Sequence, residues 1–219
     1  MSVVGKNRKL FSYNNKDKSN LHFDKKDFDK TNSYNSSFNR CSFNGTSLRG
    51  AKLKFCSFKH AIFEKTEFVG TNLRGSNFEG ATFNRAIFNG ANLENANFMN
   101  ATFKDVIFIN TNIRKAKNFP IDKNNIIVYN SMPPNDNYSE KLINIVDKLR
   151  ENEFINKSHT LHLKGNKLNT IYIDLLVNEF SEEKLIQYLP QLSHLIIKPF
   201  FTLSYIENIL TKLCNDDTI

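Results

Sequence analysis

The stretch "SNFEGATFNRAIFNGANLENANFMNATF", from Ser76 to Phe103, decides the fold because its pattern repeats every five residues. Phe or Leu occupies each fifth position, and Ser or Ala precedes it by two residues. The same phase runs from position 23 to position 113, where 18 of 19 periodic positions hold Phe, Leu or Ile and only Ser33 departs. Positions 36 to 116, two residues earlier in each unit, hold Ala, Ser, Thr or Cys at every fifth residue except Val106.

A period of five fits neither a regular helix nor a regular strand. An α-helix would spread the apolar residues around its surface, and a strand would place successive ones on opposite faces. The pattern works if the chain turns a corner every five residues, so that four sides close a square coil of 20 residues. Residues 20 apart then share a side, and they also share their chemistry. One side holds Phe43, Phe63, Phe83 and Phe103, and another holds Leu53, Leu73, Leu93 and Ile113.

The unit "GANLENANF", residues 90–98, resembles the pentapeptide-repeat family, whose units read roughly A(D/N)LXX around a central Leu or Phe. The resemblance covers residues 21–119. It implies a mainly β fold, a right-handed quadrilateral β-helix of about four to five coils stacked at strand spacing. The large residues and the small residues two places earlier point inward, so Cys41 and Cys56 are expected to be packed thiols rather than reactive ones.

Three segments are predicted along the chain: a polar N-terminal tail over 1–20, the β-helix over 21–119 and a C-terminal domain over 120–219. Pro120 marks the second boundary because it has no N–H to donate to a ladder. The charge changes there too, since residues 1–119 hold 20 Lys/Arg and 9 Asp/Glu, whereas residues 120–219 hold 10 and 13. The two parts are therefore expected to have different functions.

Residues 120–219 carry three β-like runs spaced 34 residues apart, at 126–130, 160–164 and 194–198. Amphipathic helical stretches follow at the same spacing, and Ser139 is the expected N-cap of the first. A small α/β domain with a 34-residue strand–helix repeat is therefore predicted. "LHLKGNKL", residues 161–168, resembles the core of leucine-rich repeats, with Asn166 as their inward amide. The other two units lack this Asn, so a generic α/β domain is the alternative.

The sequence contains no GxSxG, GxxxxGK[ST] or HExxH motif and no Cys/His cluster at metal spacing. Ser158 and His162 lie close in sequence, but His162 alternates with Leu161 and Leu163, which predicts a solvent-facing strand histidine. We therefore expect no enzyme activity, no catalytic residue, no cofactor and no metal. The chain also has no run of about 18 apolar residues, which a transmembrane helix would need.

Function is expected on the outer faces of the coil, where side chains stack every 20 residues. One face is predicted to be a basic partner-binding surface, with Lys52, Lys54, Arg74, Arg114 and Lys115. Another is predicted to be an apolar docking surface, with Val69, Ile87, Ile107 and Ile109. Outward isoleucines near one end of a solenoid indicate that something packs there. The C-terminal domain is the expected neighbour, ahead of a separate partner or a homodimer.

These features favour a non-catalytic protein–protein interaction scaffold. Pentapeptide repeats joined to another repeat module resemble host-directed bacterial effectors, so the chain is expected in the cytoplasm of the producing cell or delivered to a host cell by a dedicated secretion system. A second interpretation is DNA gyrase protection, because some family members resemble duplex DNA in shape and negative charge. The positive charge of residues 1–119 opposes it. A third is binding of nucleic acid or an anionic membrane through the basic face, although nearly all Phe residues are assigned to the interior rather than to stacking.

Overall fold

The computed structural model describes residues 11–120, 125–134 and 137–216, and the chain divides into two compact units. The first unit ends at Asn130 and the second begins at Ser131. The predicted boundary at residue 120 is therefore too early, because the last strand of the first unit lies beyond it.

The first unit is the predicted parallel β-helix. Its strands, in chain order, are β1 (Ile62–Glu64), β2 (Glu67–Val69), β3 (Thr82–Asn84), β4 (Ile87–Asn89), β5 (Thr102–Lys104), β6 (Val106–Ile109) and β7 (Ile126–Tyr129). They form two parallel sheets, with the orders β1-β3-β5 and β2-β4-β6-β7. Each pairing joins residues 20 apart, as Phe63 pairs with Phe83. Single parallel bridges with the same offset continue the ladder back to the pairing of Ser12 with Asn32.

Each side of the coil ends in a corner residue with positive φ. Such residues recur at every fifth position from Asn15, with a φ of 53°, to Asn110, with a φ of 47°. Gly and Asn adopt this conformation readily, but Lys25, Phe55 and Arg85 also hold it. The left-handed region costs an ordinary L-residue about 1–2 kcal/mol. The hydrogen-bonded ladder above and below each corner offsets this cost.

The interior is a set of stacked phenylalanine rings. Phe68 and Phe88 lie in adjacent coils with ring centroids 4.4 Å apart and nearly parallel planes. Phe43 and Phe63 stack in the same way at 5.2 Å, and rings on neighbouring sides meet edge to face. Each such contact contributes about 0.5–1.5 kcal/mol beyond burial of the ring. Ring stacking between coils therefore explains why residues 20 apart are so often both Phe.

The small inward positions also form hydrogen bonds. The hydroxyls of Thr46, Thr66 and Thr71 each donate to a carbonyl 23 residues earlier in the chain, at 2.7 Å. The Cys56 thiol donates to the Ser33 carbonyl in the same arrangement, and burial raises its pKa to about 11. Cys41 and Cys56 are thus buried structural thiols, as predicted. Ser, Thr and Cys at these positions give the carbonyl groups an additional side-chain hydrogen-bond donor. Where Ala occupies the position, the carbonyl groups have only backbone donors.

The β-helix begins earlier than predicted, because residues 11–20 form part of the first coil rather than a polar tail. Tyr13 lies on the five-residue phase, and its ring packs edge-on against Phe38 with centroids 6.0 Å apart. The polar character of the segment hid this continuity, since Tyr13 is the main apolar contribution of residues 12–20 to the core. The predicted tail over residues 1–10 lies outside the described residues.

The β-helix also ends later than predicted. Pro120 removes only its own N–H, and β7 resumes pairing with β6, so that Phe108 lies beside Val128. Val128 lies on the five-residue phase. Before Pro120 the regular coil is interrupted by a 3-10 turn at Ile113–Lys115. Phe119 is off phase and packs onto the end of the core, with its ring centroid 5.2 Å from that of Phe103.

The second unit is helical. Its helices are α1 (Glu140–Lys148), α2 (Glu153–Ser158), α3 (Thr170–Phe180), α4 (Glu182–Tyr188), α5 (Leu192–Leu195) and α6 (Leu203–Asp216), with 3-10 turns at Leu149–Glu151 and Leu189–Gln191. Ser139 is the N-cap of α1, as predicted, and its hydroxyl accepts a hydrogen bond from the Leu142 N–H at 3.2 Å. Among the described residues, no helix is both long and apolar enough to span a bilayer.

The predicted α/β character of the C-terminal region is wrong. The run at 126–130 belongs to the β-helix, the run at 160–164 makes a single antiparallel bridge between His162 and Leu168, and the run at 194–198 begins inside α5. Gly165 and Asn166 both have positive φ and turn the chain in a tight hairpin. Asn166 is exposed, so it is not the inward amide of a leucine-rich repeat. Short apolar runs do not distinguish strands from buried helical segments.

The expectation that His162 faces solvent is also wrong. His162 is 1% exposed, and its Nε2 lies 2.8 Å from the Val146 carbonyl oxygen. Nε2 donates to that carbonyl, and Nδ1 has no hydrogen-bond partner among the described residues. Desolvation by burial lowers the pKa of His162, because the charged form has lost its contact with water. The residue is a core histidine of the helical unit.

Candidate functional site

The predicted basic surface lies on the Leu-centred face of the β-helix. Lys52 and Lys54 flank the buried Leu53, and Arg74 lies one coil further along. Lys52 is bridged through its backbone to Asn32 and Asn72 in the adjacent coils. The strand geometry therefore places three cationic side chains close together on one face. Two of them, Lys52 and Arg74, are exposed, and Lys54 is half-buried.

The other two predicted basic residues form a separate group. Arg114 and Lys115 lie two coils beyond Arg74, in the 3-10 turn that interrupts the regular coil. Glu94 occupies the coil between them, and its Oε2 lies 3.6 Å from Arg74 Nε. Both partners are about half exposed, so this ion pair contributes little to stability, but it offsets part of the charge of Arg74. The structure therefore divides the predicted basic surface in two.

Two exposed aromatic residues lie beside the first basic group. Tyr34 is 45% exposed and Phe55 is 47% exposed. Their ring centroids are 5.6 Å apart, with an angle of 73° between the planes. Tyr34 occupies the outward position one coil before Lys54, and Phe55 occupies the corner that follows Lys54. The set Tyr34, Lys52, Lys54, Phe55 and Arg74 is called the basic–aromatic cluster below.

The sequence contains one sign that Phe55 is not a core residue, although it lies within the Phe-rich repeat. Phe55 is off phase, since the inward positions of its coil are Leu53 and Phe58. It also holds a corner with a φ of 57°, which is unusual for a bulky residue. Bulky residues in this conformation are found where the surrounding structure requires them, often at binding sites.

Gly75 explains the position of the Phe55 ring. A Cβ atom at Gly75 would lie 2.5 Å from Phe55 Cδ1 and 2.6 Å from its Cε1. The ring therefore lies directly against the backbone of the next corner, where only glycine leaves room. His60 lies against Gly80 in the same way. The Phe55 side chain is held on the surface in a defined place, with nearly half of the residue still open to solvent.

The asparagine ladder on the same face has a structural role. Asn72 Oδ1 accepts a hydrogen bond from the Arg74 N–H at 3.2 Å, and Asn92 and Asn112 make the same contact with the residues two positions later. These bonds fix the outward strands and the direction of the side chains that follow each Asn. The basic side chains therefore project from a rigid surface.

The predicted apolar docking surface is not exposed. Ile87, Ile107 and Ile109 are 4%, 5% and 0% exposed, and Val69 is half-buried. These side chains belong to β2, β4 and β6, which pair in one sheet. An open apolar face is therefore absent at these four positions. That the C-terminal domain covers them stays a prediction.

The helical unit has its own candidate surface. A cleft of about 710 Å³ is lined by Ile145, Lys148, Leu149, Glu151, Asn152, Pro190, Ser193 and His194. Next to its lining residues in sequence, Leu195 is 47% exposed and Ile197 is 77% exposed. Exposed large apolar side chains beside a cleft are typical of protein-binding surfaces. Sequence analysis assigned this segment to a strand and so did not find the surface.

Two arrangements of titratable side chains bear on possible chemistry in the described part of the chain. Among the described residues, no group of three or more His, Cys, Asp or Glu side chains could hold a metal ion. His22 Nδ1 lies 2.8 Å from Ser42 Oγ, but Asp24 approaches the same ring nitrogen at 3.9 Å, so the three residues do not form a relay.

Comparison with known proteins identifies the first unit. A sequence model of the family described as pentapeptide repeats (9 copies) matches residues 68–112. Among solved structures, a pentapeptide repeat protein from the thylakoid lumen of Arabidopsis thaliana is 26% identical over 43% of this chain and 70% of its own, with a TM-score of 0.27. A pentapeptide repeat protein from the cyanobacterium Cyanothece is 27% identical over 48% of this chain and 64% of its own, with a TM-score of 0.26.

A third solved structure is QnrB1, a plasmid-mediated fluoroquinolone resistance protein. It is 16% identical over 55% of this chain and 61% of its own, with a TM-score of 0.29. This chain thus spans less than two thirds of QnrB1 and of the Cyanothece protein. The search of curated proteins gave no match. The family match lies inside the 20-residue coils that the structure shows, and residues 68–112 are therefore pentapeptide repeats that fold as a parallel β-helix.

Proposed function

We propose that this protein is a non-catalytic interaction scaffold whose helical unit binds a protein partner. The observation that supports this most is the exposure of Leu195 and Ile197, which lie close in sequence to residues that line a cleft of mixed apolar and polar side chains. Leaving two large aliphatic side chains in water is unfavourable, at about 25 cal/mol per Å² of apolar surface. A partner that covers them recovers this free energy.

The composition of the cleft favours a protein over a small molecule. Ile145, Leu149 and Pro190 supply its apolar part, and Lys148 and Glu151 lie among the other lining residues. An apolar centre with a polar rim is the common anatomy of protein interfaces. The β-helix then acts as a rigid support that carries a second surface. A host protein is the partner class that follows if the chain is a bacterial effector.

The test is a pull-down from bacterial and host lysates with the full chain and with a Leu195→Glu/Ile197→Glu variant. We expect the main captured protein to be lost or reduced at least tenfold with the variant, as measured by quantitative mass spectrometry. Ile62→Glu is the matched control, because Ile62 is 48% exposed on the β-helix. Equal capture by the double variant and the control, with unchanged far-UV circular dichroism, would overturn the proposal.

DNA gyrase protection, the alternative raised by the family resemblance, is less well supported. Residues 11–120 hold 17 Lys/Arg and 9 Asp/Glu, and the basic–aromatic cluster adds a local concentration of positive charge. A surface that imitates duplex DNA needs the opposite sign. We therefore expect the protein to leave the fluoroquinolone sensitivity of gyrase supercoiling unchanged. Protection at equimolar protein would favour the alternative.

A further inference from the structure

The basic–aromatic cluster has a combination of side chains that the scaffold proposal does not use. Tyr34 and Phe55 offer two exposed rings in edge-to-face contact at 5.6 Å. The cluster lies on the β-helix, so it is a different surface from that of Leu195 and Ile197. Its function can therefore be tested independently of the protein-binding proposal.

The cations and the rings lie in adjacent positions of the same face. Lys52 and Lys54 are alternate residues of one extended segment, so their Cα atoms are about 6.6 Å apart. Arg74 projects from the next coil, about 4.8 Å along the stack. All outward positions of this face from Ser12 to Arg74 are uncharged or basic, and the first carboxylate after them is Glu94. The cluster is thus a local positive surface with two exposed aromatic side chains at its border.

The Phe55 ring is held in place before any ligand binds. Phe55 lies against Gly75, where a Cβ atom would come within 2.5 Å of the ring. Tyr34 contacts Phe55 edge to face, and the backbone N–H of Tyr34 donates to Asn14 Oδ1 at 2.6 Å, which ties its main chain to the preceding coil. Aromatic side chains that are already ordered lose little conformational entropy on binding. Such a surface favours ligands that present a flat π face together with negative charge.

We propose that the basic–aromatic cluster binds single-stranded nucleic acid. A base stacks on the Phe55 ring, with Tyr34 beside it, and the phosphates on either side contact Lys52, Lys54 and Arg74. Stacking of this kind tolerates any sequence, because every base has a π face. An acidic peptide could pair with the three cations, but its carboxylates would not stack on the aromatic rings. The backbone of this face is a stack of single parallel bridges, as between Lys52 and Asn72, so the exposed side chains form an extended surface along which a strand of nucleic acid can lie.

Fluorescence anisotropy of labelled 12-nucleotide oligo(dT) and oligo(rU) tests the proposal with the full-length protein. We expect binding to weaken as salt rises from about 50 to 200 mM, with a log–log slope of about −2 for three phosphate contacts. Tighter binding of one oligonucleotide decides between DNA and RNA. No binding of either at 50 mM salt would overturn the proposal.

Phe55→Ala tests the stacking. We expect a loss of affinity of about 5- to 150-fold, the range for removal of one base–aromatic stack. Ile62→Ala is the matched control, since Ile62 is equally exposed on another face of the same β-helix and should leave affinity unchanged. A loss that is the same for both variants would show that stacking on Phe55 is not involved and would contradict the proposal.

Arg74→Glu and Arg114→Glu separate a local site from general attraction to a basic protein, because both change the net charge equally. We expect Arg74→Glu to weaken binding strongly and Arg114→Glu to weaken it little. Glu94→Gln removes the carboxylate that lies 3.6 Å from Arg74 Nε, so it should strengthen binding. Equal effects of the two reversals would indicate diffuse electrostatics. Displacement of the oligonucleotide by a 12-residue poly-Glu peptide at similar concentration would favour an acidic protein ligand instead.

Discussion

The β-helix and the helical unit differ in how their sequences encode structure. In the β-helix every coil repeats the same contacts, so the same residue types recur 20 positions apart, as Phe63, Phe83 and Phe103 do. In the helical unit each contact occurs once, as when Tyr138 Oη donates to the Thr170 carbonyl oxygen at 3.0 Å. Repeated nearest-neighbour contacts leave a periodic signal in the sequence, whereas single long-range contacts leave none.

The largest expected effect concerns the stacked core. Phe83 is 0% exposed and lies between Phe63 and Phe103, with centroids 4.9 and 5.0 Å away. We expect Phe83→Ala to reduce the free energy of unfolding by about 3–5 kcal/mol in urea titration. Hydrogen exchange should quicken most in the adjacent coils, because a solenoid transmits strain mainly to its neighbours.

Leu185→Ala, in the buried core of the helical unit, is the comparison for that experiment. Its effect on hydrogen exchange should spread over several helices, since α4 has contacts with α1, α3 and α6. A uniform loss of protection across the whole β-helix after Phe83→Ala would contradict the difference between the two units.

A smaller effect is expected at the corner that holds Phe55. Gly75 has a φ of 69°, and a Cβ atom there would meet the Phe55 ring at 2.5 Å. Gly75→Ala should destabilise the β-helix by about 1–2 kcal/mol, since the left-handed region adds its own penalty to the clash. In a Phe55→Ala background the same change should cost less. A double-mutant cycle by thermal unfolding measures the difference, and strict additivity would show that the ring does not lie on Gly75.

The smallest effect is the pH dependence of the helical unit. Burial lowers the pKa of His162, so between the ordinary value of about 6.5 and the lowered value the unfolded chain binds a proton that the folded chain does not. Stability is therefore complete above about pH 6.5 and falls as the pH is lowered through this window, by at most about 1.4 kcal/mol per pH unit.

His162→Gln should remove that slope in urea titrations followed by far-UV circular dichroism between pH 7 and 5. His60→Gln, at an exposed corner of the β-helix, should leave it unchanged. The same slope in the wild type and in His162→Gln would show that another group is responsible.

Particular residues show how far the sequence could be used. The β-helix, its period and its buried thiols were predictable, because each inward Phe and each small slot is repeated. Tyr13 and Val128 lie on the same phase but next to polar or irregular segments, so both ends of the β-helix were placed too close to its centre. His162 was misplaced because alternation with Leu161 and Leu163 predicts a strand, whereas the chain there makes one bridge and packs beneath α1.

The candidate site was predictable only in part. Lys52, Lys54 and Arg74 follow from the 20-residue period, which places them on one face. Tyr34 also follows from that period, but the position of Phe55 does not, because it depends on Gly75 leaving room for a ring at a corner. The separation of Arg114 from Arg74 depends on Glu94 and on a 3-10 turn that no sequence period announces.

The sequence by itself determined the backbone of the first unit, because a five-residue repeat of large and small apolar residues is compatible with one kind of coil. Tertiary structure decided the rest: where the coil begins and ends, which isoleucines are buried, and which aromatic rings remain at the surface. It also decided that the chain between Glu140 and Asp216 is mainly helical, since a short apolar run becomes a strand only if a partner strand lies beside it. A repeat can be read from the order of residue types along the chain, whereas burial and strand pairing depend on which segments meet in the folded protein.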